Sequence, residues 1–535
     1  MPRPLACPAP VAALLLAVLV AIGSPLASLA AQPSRPRLVV LLTVDQFRED
    51  YLARFGHQFT GGLARLLKGG ARFSNAHHDH AITETAPGHA TLLSGRFPRS
   101  TGIMMNSIGV EDDEAPLVEG GYGPGASPRR FQGSTLVDWL LDADRNTRVL
   151  SVSMKDRGAI LPVGRARTNV YWYSIDGRFL TSRYYRRDLP AWVRDFNARG
   201  NVARYAGRTW DLLLPDSAYR ERDSVSIEMG GRHFTFPHRL TDDVMDAGSD
   251  IRITPFIDDI TVDFALEGVE ALGLGRGPTT DVLAVSLSAT DVIGHNYGPD
   301  SREIHDQVLR VDRSIGRFLD SLYTLRDSAS ITVVFTSDHG VGSIPELAPD
   351  SVQPFPRRVS LRPLLRELRS ELRARGVDTL AVALDVNLLL ANRNAFRTDA
   401  QRDQIMEWFA ARARTVPGVA RVDRFSTMLR DTVSSEVARR WAHQFPWPSN
   451  LELVFTLDQL STWGGNIASH GSPWPYDSQV PIIFAGAGIV PGQHSEFVRT
   501  VDIAPTLAHL IGVRVGEKID GVPLPVSGAR VNAPQ

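Results

Sequence analysis

Residues 38–45 read Leu-Val-Val-Leu-Leu-Thr-Val-Asp, an aliphatic run that ends at a carboxylate. Such a short, continuous apolar run predicts a strand buried on both faces, which is typical of a parallel sheet. Four other runs have this character: Arg148–Met154, Val282–Ser288, Ile331–Ser337 and Val480–Ala485. Helix-like stretches separate several of them, so we predict an α/β fold built around a largely parallel sheet.

Charged side chains follow four of these predicted strands. They are Asp45, Lys155-Asp156-Arg157, Asp291 and Asp338-His339. In an open parallel sheet, ligands bind beyond the carboxyl ends of the strands. We therefore expect these groups to meet in one crevice.

The composition is that of a folded protein, with 535 residues and 43% hydrophobic residues. The 58 Lys and Arg residues nearly balance the 59 Asp and Glu residues. This balance gives no indication of a nucleic acid or an anionic membrane as partner. A local site must therefore hold any anionic substrate.

The first thirty residues have the pattern of a signal peptide. Arg3 precedes the apolar run Val11–Ile22, and small residues at Ser28 and Ala30 predict cleavage near Ala30. The run is short for a bilayer span of about 20 residues, although a membrane anchor is the alternative. We predict a periplasmic or secreted protein without a stable membrane anchor. Its mature chain, residues 31–535, contains no cysteine, so it relies on packing and bound metal instead of disulfides.

The charged residues include a pattern that suits zinc, which binds carboxylates and imidazoles. Asp291 and His295 are four residues apart, so one helical turn can direct both side chains to the same ion. Asp338 and His339 close a predicted strand, and His470 comes shortly before another. Their joint placement predicts a metal site.

Four segments carry a family resemblance: Thr85-Ala86-Pro87-Gly88-His89, Thr290–His295, Ser337–Gly340 and His470-Gly471. In this order they resemble the alkaline phosphatase superfamily, and within it the phosphate-irrepressible, PafA-type enzymes, which are related to nucleotide pyrophosphatase/phosphodiesterases. The similarity runs from about Val39 to beyond Pro505. It implies a three-layer α/β/α sandwich with a central mixed, largely parallel sheet.

The resemblance also implies two zinc ions with separate ligand sets. Asp291, His295 and His470 would hold one ion. Asp45, Asp338 and His339 would hold the other, with Thr85 between the two ions as a ligand and as the nucleophile. A threonine hydroxyl is a weak nucleophile, and contact with zinc lowers its pKa. Thr83 is the competing nucleophile.

Charge counting favours phosphate monoesters over diesters. Two zinc ions bring four positive charges, the three aspartates remove three, and Lys155 and Arg157 add two. Ionised Thr85 then leaves two positive charges, which match a monoester dianion. The resemblance implies that Lys155, Arg157 and Asn106 contact the nonbridging phosphate oxygens. We therefore expect a zinc phosphatase that releases inorganic phosphate from small-molecule esters through a phosphothreonine intermediate.

Several alternatives stay open. A phosphodiesterase or nucleotide pyrophosphatase would use the same zinc site, and a noncatalytic binding protein could retain the fold. A sulfatase lacks support because the Thr85 segment has no Cys/Ser-x-Pro-x-Arg pattern. His77, His78 and His80 resemble a metal cluster, but we expect them to lie in a strand or loop outside the metal site.

Two insertions, at about residues 160–255 and 345–455, are expected to form a cap beside the site; a separate binding module is the rival interpretation. Neither insertion has a motif that names the natural substrate. The sequence also leaves the oligomeric state and a third metal site open.

Overall fold

The computed structural model describes Met1 and residues 35–527. The predicted signal peptide, apart from Met1, lies outside the described residues. The strands are β1 Leu38–Val44, β2 Ala71–Phe73, β3 Ala76–His77, β4 Val149–Ser153, β5 Asn169–Tyr173, β6 Phe179–Leu180, β7 Thr209–Trp210, β8 His238–Arg239, β9 Asp281–Leu287, β10 Ile331–Thr336, β11 Arg358–Val359, β12 Val382–Asp385, β13 Leu388–Ala391, β14 Val419–Arg424, β15 Leu451–Leu457, β16 Thr462–Trp463, β17 Ile482–Gly486, β18 Gly492–His494 and β19 Val498–Arg499.

The helices are α1 Asp50–Phe55, α2 Gly62–Gly69, α3 Thr85–Leu92, α4 Pro98–Thr101, α5 Leu136–Ala143, α6 Asp156–Ile160, α7 Ala191–Ala198, α8 Val244–Asp250, α9 Phe256–Ala271, α10 Ala289–Tyr297, α11 Arg302–Leu325, α12 Arg362–Ala374, α13 Asp399–Ala413, α14 Phe425–Met428, α15 Glu436–Gln444, α16 Pro475–Ser478 and α17 Ile503–Ile511. No helix in the described part of the chain has both the length and the apolar character of a bilayer span.

Within residues 35–527, the largest sheet has nine strands in the order β18-β2-β17-β10-β1-β9-β4-β5-β6. Within the run β10-β1-β9-β4-β5, each strand is parallel to the next. β17 pairs with β10 in the antiparallel direction, and β6 does the same with β5. The sheet is therefore mixed and largely parallel, as the sequence predicts.

The central strand β1 shows why helices cover both faces of this sheet. All seven of its residues are buried. Alternate side chains point to opposite faces of a strand, and Leu38, Val40 and Leu42 pack in one apolar core while Val39 and Leu41 pack in another. The first core includes side chains of α2, α9 and α11, and the second includes those of α3, α5 and α17. The predicted three-layer arrangement is confirmed.

All five predicted strands are present in the large sheet, as β1, β4, β9, β10 and β17. The interval at about residues 160–255 contributes β5 and β6 to one end of the same sheet. The interval at about residues 345–455 contributes β12, β13 and β14 to an antiparallel sheet of order β12-β13-β15-β14, which we call the small sheet.

The small sheet has apolar residues on both faces. On one face, Leu389 and Leu453 pack with side chains of α12 and α13. On the other face, Leu388 and Val454 belong to a cluster that includes Ile82. Since Ile82 precedes α3 by three residues, this shared cluster brings the small sheet close to the start of α3.

Candidate active site

Four neighbouring parallel strands deliver polar side chains to one edge of the large sheet. Asp45 directly follows β1, and Lys155 comes two residues after the end of β4. Helix α10 begins two residues after β9 and carries Asp291 in its first turn. Asp338 and His339 follow β10. Because β10, β1, β9 and β4 are adjacent and parallel, their carboxyl ends converge as predicted.

One group of possible metal ligands is fully enclosed. Ligand atoms of Asp45, Asp291 and His339 all lie within 4.8 Å of one another. The Nε2 atom of His339 is 3.6 Å from Asp45 Oδ1 and 4.0 Å from Asp291 Oδ1. Asp338 lies beside this group, with its Oδ2 atom 3.5 Å from His339 Nε2 and 3.2 Å from His89 Nδ1.

A second group reaches the edge of the site. Asp291, His295 and His470 also place ligand atoms within 4.8 Å of one another. His295 Nε2 is 3.5 Å from Asp291 Oδ1, and His470 Nε2 is 3.8 Å from the same oxygen. Asp291 is thus common to both groups, whereas the sequence prediction assigned it to one ion.

The histidine contacts fit metal ligation. Each Nδ1 atom faces a backbone carbonyl: His295 that of Ala468 at 2.8 Å, His339 that of Gly340 at 2.9 Å, and His470 that of Thr83 at 2.7 Å. A ring that donates its Nδ1 proton in this way keeps an unprotonated Nε2 atom for a metal.

The charges of the site also fit metal binding. Burial lowers the pKa of His470, which favours the neutral ring that a metal requires. Asp45 is fully buried, and no hydrogen-bond donor reaches its Oδ1 atom. A buried carboxylate needs a partner of opposite charge. The residues present therefore fit divalent cations.

Lys155 lies between two of these carboxylates. Its Nζ atom is 2.6 Å from Asp45 Oδ2 and 2.5 Å from Asp291 Oδ2. Burial opposes the charge on Lys155, but Asp291 and Asp45 raise its pKa overall, so the ammonium form is retained. Burial is the largest single influence on the pKa of Asp291 and raises it, but Lys155 and the neighbouring histidines together outweigh burial, so the pKa of Asp291 is lowered.

The hydroxyl of Thr85 lies against these groups. Thr85 is buried and is the first residue of α3. Its Oγ1 atom is 3.4 Å from His339 Nε2 and 3.5 Å from Lys155 Nζ. A helix N-terminus favours anions at this position. Gly88 permits α3 to lie close to the segment that follows β10, because a Cβ atom there would lie 2.1 Å from the Asp338 carbonyl oxygen.

Asn106 is tied to the start of α3. Its Oδ1 atom accepts a hydrogen bond from the Ala86 amide at 2.8 Å. The backbone amide of Asn106 donates a hydrogen bond to Glu84 Oε2 at 2.6 Å. This arrangement leaves the side-chain amide nitrogen of Asn106 to donate elsewhere. Sequence reasoning missed Glu84, which holds the Asn106 turn next to Thr85.

Gln46 was also missed. It is buried, and its φ of 64° places it in the left-handed region. Its backbone amide donates to Asp338 Oδ1 at 3.0 Å, and its Nε2 atom donates to Asp291 Oδ1 at 3.0 Å. Gln46 therefore links the ligands that follow two different strands. Its position directly after Asp45 is the only signal that the sequence offers.

Arg157 is less tightly held than Lys155. It lies in the short helix α6, which begins at Asp156. The Arg157 guanidinium is partly exposed and lies 3.5 Å from Asp156 Oδ1. Its charge still reaches the site, because it lowers the pKa of Glu84 in opposition to the larger effect of burial.

The neighbouring histidines and Thr83 have other contacts. His77 Nδ1 lies 3.2 Å from Ser478 Oγ, His78 Nε2 lies 2.9 Å from the Ser337 carbonyl oxygen, and His80 Nδ1 lies 3.1 Å from Gln444 Oε1. In the described chain, none of these three belongs to a metal-type cluster. The Thr83 hydroxyl donates to the Ser472 carbonyl.

Carboxylate and imidazole groups that suit divalent cations, beside a buried hydroxyl at a helix N-terminus and a buried lysine, are typical of phosphoesterases that use metal ions. The model of the type I phosphodiesterase / nucleotide pyrophosphatase family matches residues 39–417. The chain belongs to this family.

Several similar proteins are named alkaline phosphatases. The chain is 29% identical to alkaline phosphatase PafA of Elizabethkingia meningoseptica, over 92% of this chain and 94% of that protein. It is 30% identical to alkaline phosphatase PhoV of Synechococcus elongatus, over 90% and 91%. The crystal structure of wild-type PafA superposes with a TM-score of 0.83 at 28% identity, over 92% of this chain and 99% of that one. The predicted superfamily membership is confirmed.

Proposed function

We propose that this protein is a zinc-dependent phosphate monoester hydrolase that uses Thr85 as its nucleophile and releases inorganic phosphate. The observation that carries the proposal is the position of the Thr85 hydroxyl, 3.4 Å from His339 Nε2 and 3.5 Å from Lys155 Nζ. Burying a lysine beside two carboxylates costs free energy because all three charges lose contact with water. Such an arrangement next to a hydroxyl therefore indicates a functional site.

The proposed ligands form two sets. Asp291, His295 and His470 would hold one zinc ion. Asp45, Asp338 and His339 would hold the other, and Asp291 lies near enough to the second set to contribute to it. When bound, zinc would polarise the phosphoryl group and favour the ionised hydroxyl of Thr85.

The side chains of this protein would then carry the reaction in two displacements. Thr85 Oγ1 attacks phosphorus, so that an Oγ1–P bond forms as the bond between phosphorus and the ester oxygen breaks. Water then attacks phosphorus, the Oγ1–P bond breaks, and inorganic phosphate leaves. Lys155, Arg157 and the side-chain amide of Asn106 would neutralise or bind the nonbridging oxygens during both steps.

The excess of positive charge favours a monoester. With two zinc ions, three aspartates, Lys155, Arg157 and ionised Thr85, the net charge is about plus two, which balances a dianion. The relatives named alkaline phosphatase are consistent with this choice. A phosphodiesterase or nucleotide pyrophosphatase is the second candidate, because the matching family model carries that description.

The location and the cap are also proposals. The sequence pattern of the first thirty residues supports export to the periplasm or the medium. The small sheet, whose Leu388 and Val454 cluster with Ile82 before the nucleophile helix, supports a cap beside the site. Small-molecule phosphate esters are the proposed substrates.

Trapping the covalent intermediate tests the proposal. Zinc-loaded protein is mixed with a phenyl phosphate labelled at phosphorus and quenched in acid, and mass spectrometry locates the label. We expect label on Thr85, label loss in Thr85→Ala, and retention in Thr83→Ala. Label on another residue, or turnover without any labelled protein, would contradict the proposed nucleophile.

A further inference from the structure

A cavity of about 720 Å³ adjoins the candidate active site. Its lining includes Glu84 and His470 from the site, together with residues at the end of the β12–β13 hairpin of the small sheet. Pockets of about 300–1,000 Å³ accommodate small molecules. The cavity is therefore large enough for the alcohol part of a phosphate ester whose phosphoryl group lies at Thr85.

The hairpin places a strained apolar residue in this cavity. Val386 follows β12, has a φ of 49° and is 55% exposed. A β-branched residue rarely adopts positive φ, and such hairpin turns usually contain asparagine or glycine. Strained backbone positions cluster at active sites and ligand-binding sites, so the strain at Val386 indicates a functional role. An exposed valine offers apolar contact, which the half-buried Trp463 extends along the lining.

The neighbouring Asp385 places a negative charge in the same lining. Glu84, one residue before Thr85, lies in this lining as well. The same lining contains the guanidinium of Arg362, a positive charge whose effect is tested below. Asp477 also lines the cavity, but its carboxyl group accepts hydrogen bonds from the backbone amide and the hydroxyl of Ser472.

We propose that this cavity receives the leaving group of the ester, and that Asp385 and Val386 select an uncharged alcohol with an apolar part. Val386 and Trp463 would contact the apolar part. Asp385 would repel a leaving group that carries a carboxylate or a further phosphate. This inference rests on the proposed phosphatase function and names the substrate class of that site.

The charge preference is tested with phenyl phosphate and para-carboxyphenyl phosphate. The ratio of their kcat/KM values is measured for the wild type and for Asp385→Asn, so that the intrinsic reactivity of each ester cancels. Removing the negative charge should lower the preference for phenyl phosphate by about three- to tenfold. Asp378→Asn is the matched control, since Asp378 lies on the same segment but outside the cavity lining.

The apolar contact is tested with naphthyl and phenyl phosphates. Val386→Asn should lower the ratio of their kcat/KM values by about two- to fivefold, because apolar contact is lost. Asparagine tolerates positive φ, so the melting temperature should stay the same or rise. Val433→Asn, at an exposed valine outside the lining, should change neither quantity.

The outcomes separate this inference from the proposed function. Hydrolysis of the esters with both ratios unchanged in Asp385→Asn and Val386→Asn would overturn the inference alone. A wild-type preference for the carboxylated ester that is lost in Arg362→Gln would overturn it as well. If the zinc-loaded protein releases phosphate from none of these esters, the proposed function fails and the inference fails with it.

Discussion

The two sides of the candidate active site are built differently. At the edge of the large sheet, Asp45, Asp338 and His339 are completely buried and follow strands that pack on both faces. Beside the small sheet, Asp385 and Val386 lie partly exposed at the end of a hairpin. Reactive groups need fixed positions, whereas groups that contact a variable leaving group tolerate change.

This contrast gives a simple rule for substitutions. Changes at the edge of the large sheet should alter the rate with every ester. Changes at the hairpin should alter the ratio between esters and leave the phosphoryl transfer itself intact.

The largest effect is expected from Thr85→Ala. Loss of the nucleophile should lower kcat/KM by at least about a thousandfold, and equally for phenyl and naphthyl phosphates. Steady-state kinetics checks the loss, and circular dichroism checks the fold. Thr85→Ser keeps a hydroxyl and should retain far more activity. Unequal losses on the two esters would break the proposed division of roles.

Lys155→Ala should come next, with a loss of about a hundredfold or more for a monoester. The loss for a diester should be smaller, because a diester has one negative charge fewer to neutralise. Lys68→Ala removes an exposed lysine from α2 and serves as the control. Equal losses on both substrates would contradict a role for Lys155 in favouring monoesters over diesters.

Gln46→Ala should have an effect of intermediate size on metal binding. The substitution removes the side-chain hydrogen bond to Asp291 and keeps the backbone bond to Asp338, and residues that orient metal ligands typically contribute about ten- to hundredfold to metal affinity. Competition with a zinc chelator of known affinity measures the change without relying on activity. Gln493→Ala, at an exposed glutamine, should leave zinc affinity unchanged.

Arg157→Ala should give the smallest effect at the large-sheet side, about tenfold or less on a monoester. Its guanidinium is partly exposed, and solvent screens its charge more than that of buried Lys155. The measurement is the ratio of kcat/KM values in Arg157→Ala and Lys155→Ala. A greater loss from Arg157→Ala would reverse the proposed ranking of the two cations.

The sequence predicts the large-sheet side well because its signals are local. The run Leu38–Val44 shows a doubly buried strand, and the charged residues that follow β1, β9 and β10 show where the strands end. The topology of the parallel sheet then brings these residues together.

The missed features depend on tertiary structure. Gln46 and Glu84 act through backbone amides and carboxylates of distant segments, which no residue pattern announces. The apolar segment Leu380–Leu390 contains a two-residue turn at Val386 and Asn387, but it lacks the Asn-Gly or Asp-Gly signal of a hairpin. The charge at Asp385 gains meaning only through its place in the lining of a cavity that distant segments form.

The most direct test of the central claim compares phenyl phosphate with methyl phenyl phosphate, which release the same phenol. Initial rates are measured side by side on the zinc-loaded protein and again after exhaustive chelation. We expect kcat/KM for the monoester to exceed that for the diester by at least about tenfold, and both activities to disappear without metal and return with zinc. A faster diester, or full monoester activity after chelation, would contradict a zinc-dependent phosphomonoesterase.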